Sequence, residues 1–381
     1  MTVQRAPSPA GANSSEPQIL SSGRDLLLSW VERTGKTSVL KSVERTGSGW
    51  SAPVTAASGD DWFLSYADVP SVMKMSDGTL VAQWLQTTDP IREAYNLRLT
   101  YSKDNGKTWA ASFLPHSDAS KTQHGFASLI ELPDKGLGVI WLDGRNSEFD
   151  VDNPSSATME LRYSAYDANW KPQTVDTEID HQVCECCPTT AVMTPDGILT
   201  AFRDRSNDEI RDIAVSRMEN GKWTPAALIN KDNWQIDFCP VNGPMLSGRG
   251  RDVVAAWFTV KNDLGQAYAA FSNDAGKSWG MPIRLDDKGS LGRTDVEILE
   301  DGSAIASWVE YADGKADFRF RRIDRTGARS APVVVAPVTG GQSAGYPRIG
   351  LRDGELVLAW TDSAAGQNGA LQLQTAVGRL P

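Results

Sequence analysis

The sequence predicts an all-β chain folded as a propeller of four-stranded blades, and three observations predict it. A turn, a short apolar strand and a closing aromatic residue recur seven times in 381 residues. The aromatics Trp30, Trp84, Trp141, Phe202, Trp257, Trp308 and Trp360 stand 51 to 61 residues apart. At that period one repeat holds several short strands and stacks on its neighbours. No segment carries a helical period, and Gly, Asp and Asn punctuate the apolar runs, as strands joined by tight turns require.

Each copy opens on its own turn: Arg24-Asp25-Leu26, Asp77-Gly78-Thr79-Leu80, Lys135-Gly136-Leu137, Asp196-Gly197-Ile198, Arg251-Asp252-Val253, Asp301-Gly302-Ser303 and Asp353-Gly354-Glu355. The second repeat shows a blade most clearly. Ser71 to Met75 is its inner strand, Leu80 to Leu85 the second and Asn96 to Tyr101 the third, and a fourth follows Trp109. Seven repeats predict seven blades, with six blades and one irregular unit as the alternative. The last repeat ends after Leu371 to Val377 without a fourth strand, so ring closure needs Val3 to Pro7 as its outer strand. Residues 1–17 otherwise read as a disordered leader or linker, rich in Ala, Ser, Pro and Gln. Residues 18–381 form one propeller domain.

The chain is 40% hydrophobic and 23% charged, with a net charge of -10. That balance disfavours nucleic acid and anionic membranes, which reward clustered Lys and Arg. No apolar run approaches the roughly 20 residues of a membrane helix, so no transmembrane segment is expected. The leader lacks the apolar heart of a signal peptide. It fits what remains after an export signal or lipid anchor is removed, giving a periplasmic or extracellular protein, with a cytoplasmic one as the alternative.

Two turns are more specific. Ser102 to Trp109 and Ser272 to Trp279 both fit S-x-D-x-G-x-[ST]-W, and degenerate copies lie at Ser42 to Trp50, Ser164 to Trp170 and Ser216 to Trp223. Asp accepts N–H bonds within such a turn, Gly takes a conformation closed to other residues, and Trp packs between sheets. These turns resemble the Asp-boxes, or bacterial neuraminidase repeats, of the sialidase-like superfamily. The resemblance covers most of the chain and implies structural turns on the face away from an active site.

The segments just before the inner strands align, many of them on proline. Val69-Pro70, Cys187-Pro188, Cys239-Pro240 and Tyr346-Pro347 stand in register with His124-Gly125 and Arg293-Thr294. Inner-strand ends ring the axis on one face. The alignment therefore gathers Asp68, His124, Cys187, Cys239, Arg293, Asp295 and Tyr346 around one funnel, which is where a small-molecule or glycan ligand is expected.

All four cysteines fall in this region, as Cys184, Cys186, Cys187 and Cys239. Three readings stand open: buried structural thiols, disulfides, or a soft-metal or redox-active thiol site. Thiolates select Cu(I) and Zn, and an imidazole from His181 or His124 would complete such a shell. In an extended strand Cys184 and Cys186 share a face and Cys187 points away, so one metal binding all three requires a loop. The segment Phe202 to Asp212 carries seven charges in eleven residues. It reads either as a solvated hairpin or as a loop over the funnel, with Arg forks for a carboxylate or phosphate. Asp143-Gly144-Arg145 stands at the corresponding place in the third repeat.

Sialidases hold the sugar carboxylate with three Arg, use Tyr with a neighbouring Glu as nucleophile, and use Asp as acid/base. Carried over, the resemblance makes Tyr346 the nucleophile, Glu209 its partner, Asp68 the acid/base, and Arg293, Arg205 and Arg203 the catalytic arginines. Asp204, Arg211, Asp212, Asp295, Arg348, Asn242 and Arg145 would line the substrate. The family's early Phe/Tyr-Arg-Ile-Pro motif is absent, since the first repeat offers Glu16-Pro17-Gln18-Ile19. The chain more closely resembles a group of bacterial proteins labelled sialidase-like or exo-α-sialidase. The resembling stretches are Cys184 to Pro188, Arg203-Asp204-Arg205, Cys239 to Pro244 and Leu291-Gly292-Arg293. That label implies a fold.

Three functions follow as expectations. The first is a copper or zinc site, or a redox site, of Cys184, Cys186, Cys187 and Cys239 with His181 or His124. The second is an exo-α-sialidase cleaving terminal sialic acid. The third is a non-catalytic propeller binding a glycan or protein.

Overall fold

The computed structural model describes residues 2–22, 25–47, 49–91, 93–147, 158–362 and 370–380. Met1 of the expected leader and Arg24 of the first repeat turn lie outside them. Seven antiparallel sheets follow one another along the chain. Their inner strands are Ser14–Ser22, Ser71–Lys74, His124–Glu131, Thr190–Thr194, Met245–Arg249, Ser290–Ile298 and Arg348–Arg352. These pack side by side around a closed ring, the last against the first. The architecture is a seven-bladed β-propeller. In the second blade the fourth strand is reduced to a bridge between Leu99 and Phe113.

Each repeat aromatic sits on the second strand of its blade, and all seven are buried. They seal blade to blade. Trp141 packs among Leu85, Leu97 and Leu99 of the preceding blade, Trp257 against Leu199 and Ala201, and Trp308 against Val254 and Ala256. Truncating one such residue to Ala costs about 3–5 kcal/mol. Indole nitrogens are held by acids two residues on, as in Trp30 to Glu32 at 2.9 Å, Trp141 to Asp143 at 2.8 Å and Trp308 to Glu310 at 2.6 Å.

Closure comes from the chain's first strand. Val3–Ala6 pairs antiparallel with Gln372–Arg379, from Val3 opposite Gly378 to Ala6 opposite Thr375. The segment expected as a leader thus divides between this closing strand and the start of the first inner strand at Ser14.

The meander fixes two faces. Turns joining third to fourth strands lie on one. There Asp104 accepts from the Ser102 hydroxyl at 2.8 Å, the Thr108 amide at 2.9 Å and the Thr108 hydroxyl at 2.7 Å. Asp274 repeats this with Ser272 and Ser278. The starts of the inner strands and the loops joining second to third strands lie on the opposite face, the mouth. Three inner strands bulge there, between Ser15 and Gln18, Gly125 and Ser128, and Gly292 and Asp295. In each bulge a non-glycine residue takes positive φ: Glu16 at 61°, Phe126 at 53° and Arg293 at 54°. Bulges of this kind re-aim a side chain.

Candidate functional site

The four cysteines meet at the mouth between the fourth and fifth blades. A turn at Glu185 and Cys186 folds Cys184 back toward Cys187, which supplies the loop that an extended strand could not. Cys184 Sγ lies 3.4 Å from Cys187 Sγ and 3.4 Å from Cys239 Sγ. Cys239 is disulfide-bonded to Cys186, with Cα atoms 6.1 Å apart, and Cys184 and Cys187 are free and buried. Cys187 and Cys239 occupy equivalent places before adjacent inner strands, yet Cys186 takes the bond. Cys187 instead turns inward and accepts the Asn242 amide at 3.3 Å.

Cations surround these sulfurs. Arg211 donates from Nη1 to Cys184 Sγ at 3.3 Å. Arg203 is 1% exposed. It donates to the carbonyls of Asn242 at 2.9 and 2.7 Å, Arg211 at 2.6 Å and Phe258 at 2.7 Å. Its guanidinium lies 5.0 Å from the Trp234 ring. A buried charge held by neutral carbonyls favours any nearby anion. Burial alone would push the Cys184 thiol up. The Cys187 thiol, Arg203 and Arg211 outweigh it and bring Cys184 down to about 7. Cys187 moves the other way, raised by burial and by Cys184. One thiolate and one thiol share the pair.

Above the sulfurs sits a quartet of ions. Arg205 binds Glu209 at 2.6 Å and Glu185 at 2.6 Å, while Arg211 binds Glu209 at 2.8 Å and also reaches Glu185. The charged loop therefore does lie over the mouth, but its arginines are mutually paired with Glu185 and Glu209. This overturns the expected pairing of Glu209 with Tyr346. The Tyr346 hydroxyl donates instead to the Val241 carbonyl, and burial raises it far above the usual phenol range. Arg203 is a backbone clamp, so neither it nor Arg205 is poised for a substrate carboxylate.

Arg293 sits in the bulge of the sixth inner strand. It is buried, donates to the Gly341 carbonyl at 2.8 Å and lies 5.8 Å from the Tyr66 ring. Its Nη1 has no partner among the described residues. Tyr66 stacks on Tyr346 with centroids 6.5 Å apart. Asn242 ties these groups together. Its Oδ1 accepts the Arg293 amide at 2.8 Å, and its backbone meets Arg203 and Cys187. Asn242 is thus a structural hub. Close packing here demands glycine, since a Cβ on Gly243 would stand 1.9 Å from the Pro188 carbonyl oxygen.

The remaining expected residues scatter. Asp68 is buried on the axis, accepting the Phe126 amide at 2.7 Å, and burial pushes its carboxyl up to about 7. With Arg348, Gln18, Ser128 and Thr190 it lines a small axial cavity of about 90 Å³. Asp295 accepts the amides of Val296 and Ile349, each at 2.9 Å. Asp212 clamps the amides of Asn233 at 2.8 Å and Trp234 at 3.0 Å. Asp204 is raised to about 6 by burial and by Asp180. Arg145 pairs with Asp143 at 2.7 Å and Asp176 at 3.1 Å. His124 joins Asp118 and Asp143 in a group separate from that of Cys184, Cys187 and Cys239. His181 is exposed. Neither imidazole belongs to the sulfur group, because the Glu185 turn points the thiols toward the arginines.

Four further residues matter here: Glu185, Tyr66, Glu16 and Arg33. Glu185 stands inside the cysteine motif, and Tyr66 shares the pre-strand segment with Asp68, so position alone could have raised both. A cleft of about 520 Å³ beside Tyr66 is lined by Glu16, Arg33, Phe63, Glu93 and Thr361. Glu16 pairs with Arg33, and burial still raises it to about 7.

No protein-family profile and no curated protein matches the sequence. The fold is shared with solved structures at low identity. A protein of unknown function from Dyadobacter fermentans is 14% identical, covering 97% of this chain and 95% of that one, with a TM-score of 0.52. The polysaccharide lyase Uly1 is 10% identical over 96% and 90%, with a TM-score of 0.54. The endosialidase of phage phi92 is 8% identical over 100% of this chain and 69% of that one, with a TM-score of 0.53. Among the described residues no helix is long and apolar enough to cross a membrane.

Proposed function

We propose that the propeller mouth is a thiol-based redox and soft-cation site. The observation that carries this reading is the place of Cys184: lowered to about 7 and 3.4 Å from both Cys187 and a sulfur of the Cys186–Cys239 bond. In the oxidised state the Cys184 thiolate attacks Cys239 Sγ. A Cys184–Cys239 bond forms, the Cys186–Cys239 bond breaks, and the electron pair leaves on Cys186 as thiolate. In the fully reduced state Cys184, Cys187 and Cys239, whose sulfurs lie within 4.8 Å of one another, form a donor set suited to Cu(I) or Zn(II). A disulfide beside a thiolate fits an oxidising compartment such as the periplasm.

The test is a free-thiol count under denaturing conditions, with elemental analysis of protein reduced anaerobically and given Cu(I) or Zn(II). The reading expects two thiols before reduction and four after, with one cation per reduced chain that Cys184→Ser or Cys239→Ser abolishes. Four thiols and no bound cation in any state would sink it.

The cleft beside Tyr66 favours a second reading, a glycan-binding propeller. Its aromatic wall, Glu16 and Arg33 offer stacking and polar contacts to an acidic oligosaccharide, and the fold is shared with an endosialidase and a polysaccharide lyase. Binding of sialylated or uronate oligosaccharides that Tyr66→Ala abolishes would support it. Hydrolysis of the exo-α-sialidase type would show as release of a fluorogenic leaving group from a sialoside, lost in Tyr346→Phe.

A further inference from the structure

Two imidazoles stack on the mouth face at the junction of the second and third blades, apart from the sulfurs. The rings of His116 and His124 lie 4.1 Å apart with planes within 6°, and the residues are 5% and 0% exposed. His116 Nδ1 lies 3.1 Å from the Asp118 carbonyl oxygen. A carbonyl only accepts, so the proton sits on Nδ1 and Nε2 carries a bare lone pair. That Nε2 is buried without a hydrogen-bond partner among the described residues.

His124 Nε2 lies 3.0 Å from Asp118 Oδ2 and 3.6 Å from Asp143 Oδ1, and the three atoms are mutually within 4.8 Å. A tetrahedral cation with bonds of about 2.0–2.1 Å sets its donor atoms about 3.3 Å apart, which these separations bracket. Both carboxylates are already oriented. Arg145 at 2.8 and 2.7 Å and Trp141 at 2.8 Å hold Asp143, and the Ser120 amide at 3.1 Å holds Asp118. Such supports are the usual companions of metal ligands. Charge points the same way. Asp118, Asp143 and Asp176 gather three negative charges, and among the described residues Arg145 is the guanidinium paired with them. A dication offsets the two that remain.

We propose that Asp118, His124 and Asp143 bind a divalent cation of nitrogen and oxygen preference, Zn(II) or Mn(II), with the His116 ring stacked beside His124.

Co(II) titrated into the full chain separates this site from the sulfurs, because thiolate ligation gives an intense near-ultraviolet charge-transfer band and nitrogen–oxygen ligation does not. The expected result is one Co(II) with weak visible bands only, retained in Cys184→Ser. Affinity should fall at least about tenfold in His124→Gln and in Asp118→Asn, with unchanged circular dichroism. Binding unaltered in both variants would overturn the site. So would Co(II) binding seen only as a thiolate band, with nothing bound in Cys184→Ser, or no binding at millimolar Co(II).

Discussion

The turns at Asp104 and Asp274 and the mouth around Cys184 hold anions by different means. Each turn is local: its Asp accepts from residues two to four positions away. Asp274 is lowered to about 2; burial opposes, and bonds from Ser278 and Ser272 outweigh it. The mouth is assembled from afar. Cys184 meets Arg211 across 27 residues and Cys239 across 55, and its counter-charge Arg203 is itself buried without a carboxylate partner among the described residues. A locally satisfied anion stabilises a turn and asks nothing of its surroundings. An anion satisfied only by the assembled ring depends on every blade that contributes to it, and its chemistry can be tuned.

The largest way to break this contrast is at Arg203. Arg203→Ala removes a buried charge and leaves the Asn242, Arg211 and Phe258 carbonyls unpaired; a loss of about 3–5 kcal/mol is expected, read by urea unfolding. Gly243→Ala should cost about 1–3 kcal/mol, because the Pro188 carbonyl must move, and the same unfolding curve measures it.

Titration sharpens the comparison further. Cys184 is lowered in the fold from 9.0 to about 7, so its stabilisation is fully present above the unfolded value and fades as pH falls through about 7. Wild type should therefore gain stability between pH 7 and 9 relative to Cys184→Ser, and Arg211→Gln should shift iodoacetamide reactivity of Cys184 to higher pH. Glu297 behaves oppositely. Burial, then Asp295, raise it from 4.5 to about 8, so stability is lost as pH rises through that window. Glu297→Gln should raise the melting temperature at pH 8 by a few degrees and leave it unchanged at pH 4. Asp104→Asn should have the smallest effect, within about 2 °C by calorimetry, with no change in thiol reactivity.

Much of the scaffold was legible in the residues. Seven spaced aromatics became seven sealed blade interfaces because a large ring at a fixed strand position can be buried only against the next sheet. The pre-strand prolines led to the mouth, since backbone register places strand ends without knowledge of side chains. What stayed hidden depended on direction. The turn at Glu185 that folds Cys184 onto Cys187, the capture of Arg205 and Arg211 by Glu185 and Glu209, and the donation of Tyr346 to Val241 all arise from side chains choosing among partners brought close by folding. His116 and Asp118 escaped notice because they precede the third inner strand by several residues, in a loop with no repeat counterpart.

The pairing of Val3–Ala6 with Gln372–Arg379 makes the ring a clasp whose halves are the most distant parts of the chain. During synthesis the early half must wait, unpaired, until the late half has left the ribosome. The last blade, which also seals the first, is completed only then. The same clasp places Val3 beside Gly378, so a chain linked there and opened at a turn on the face opposite the mouth should preserve every blade.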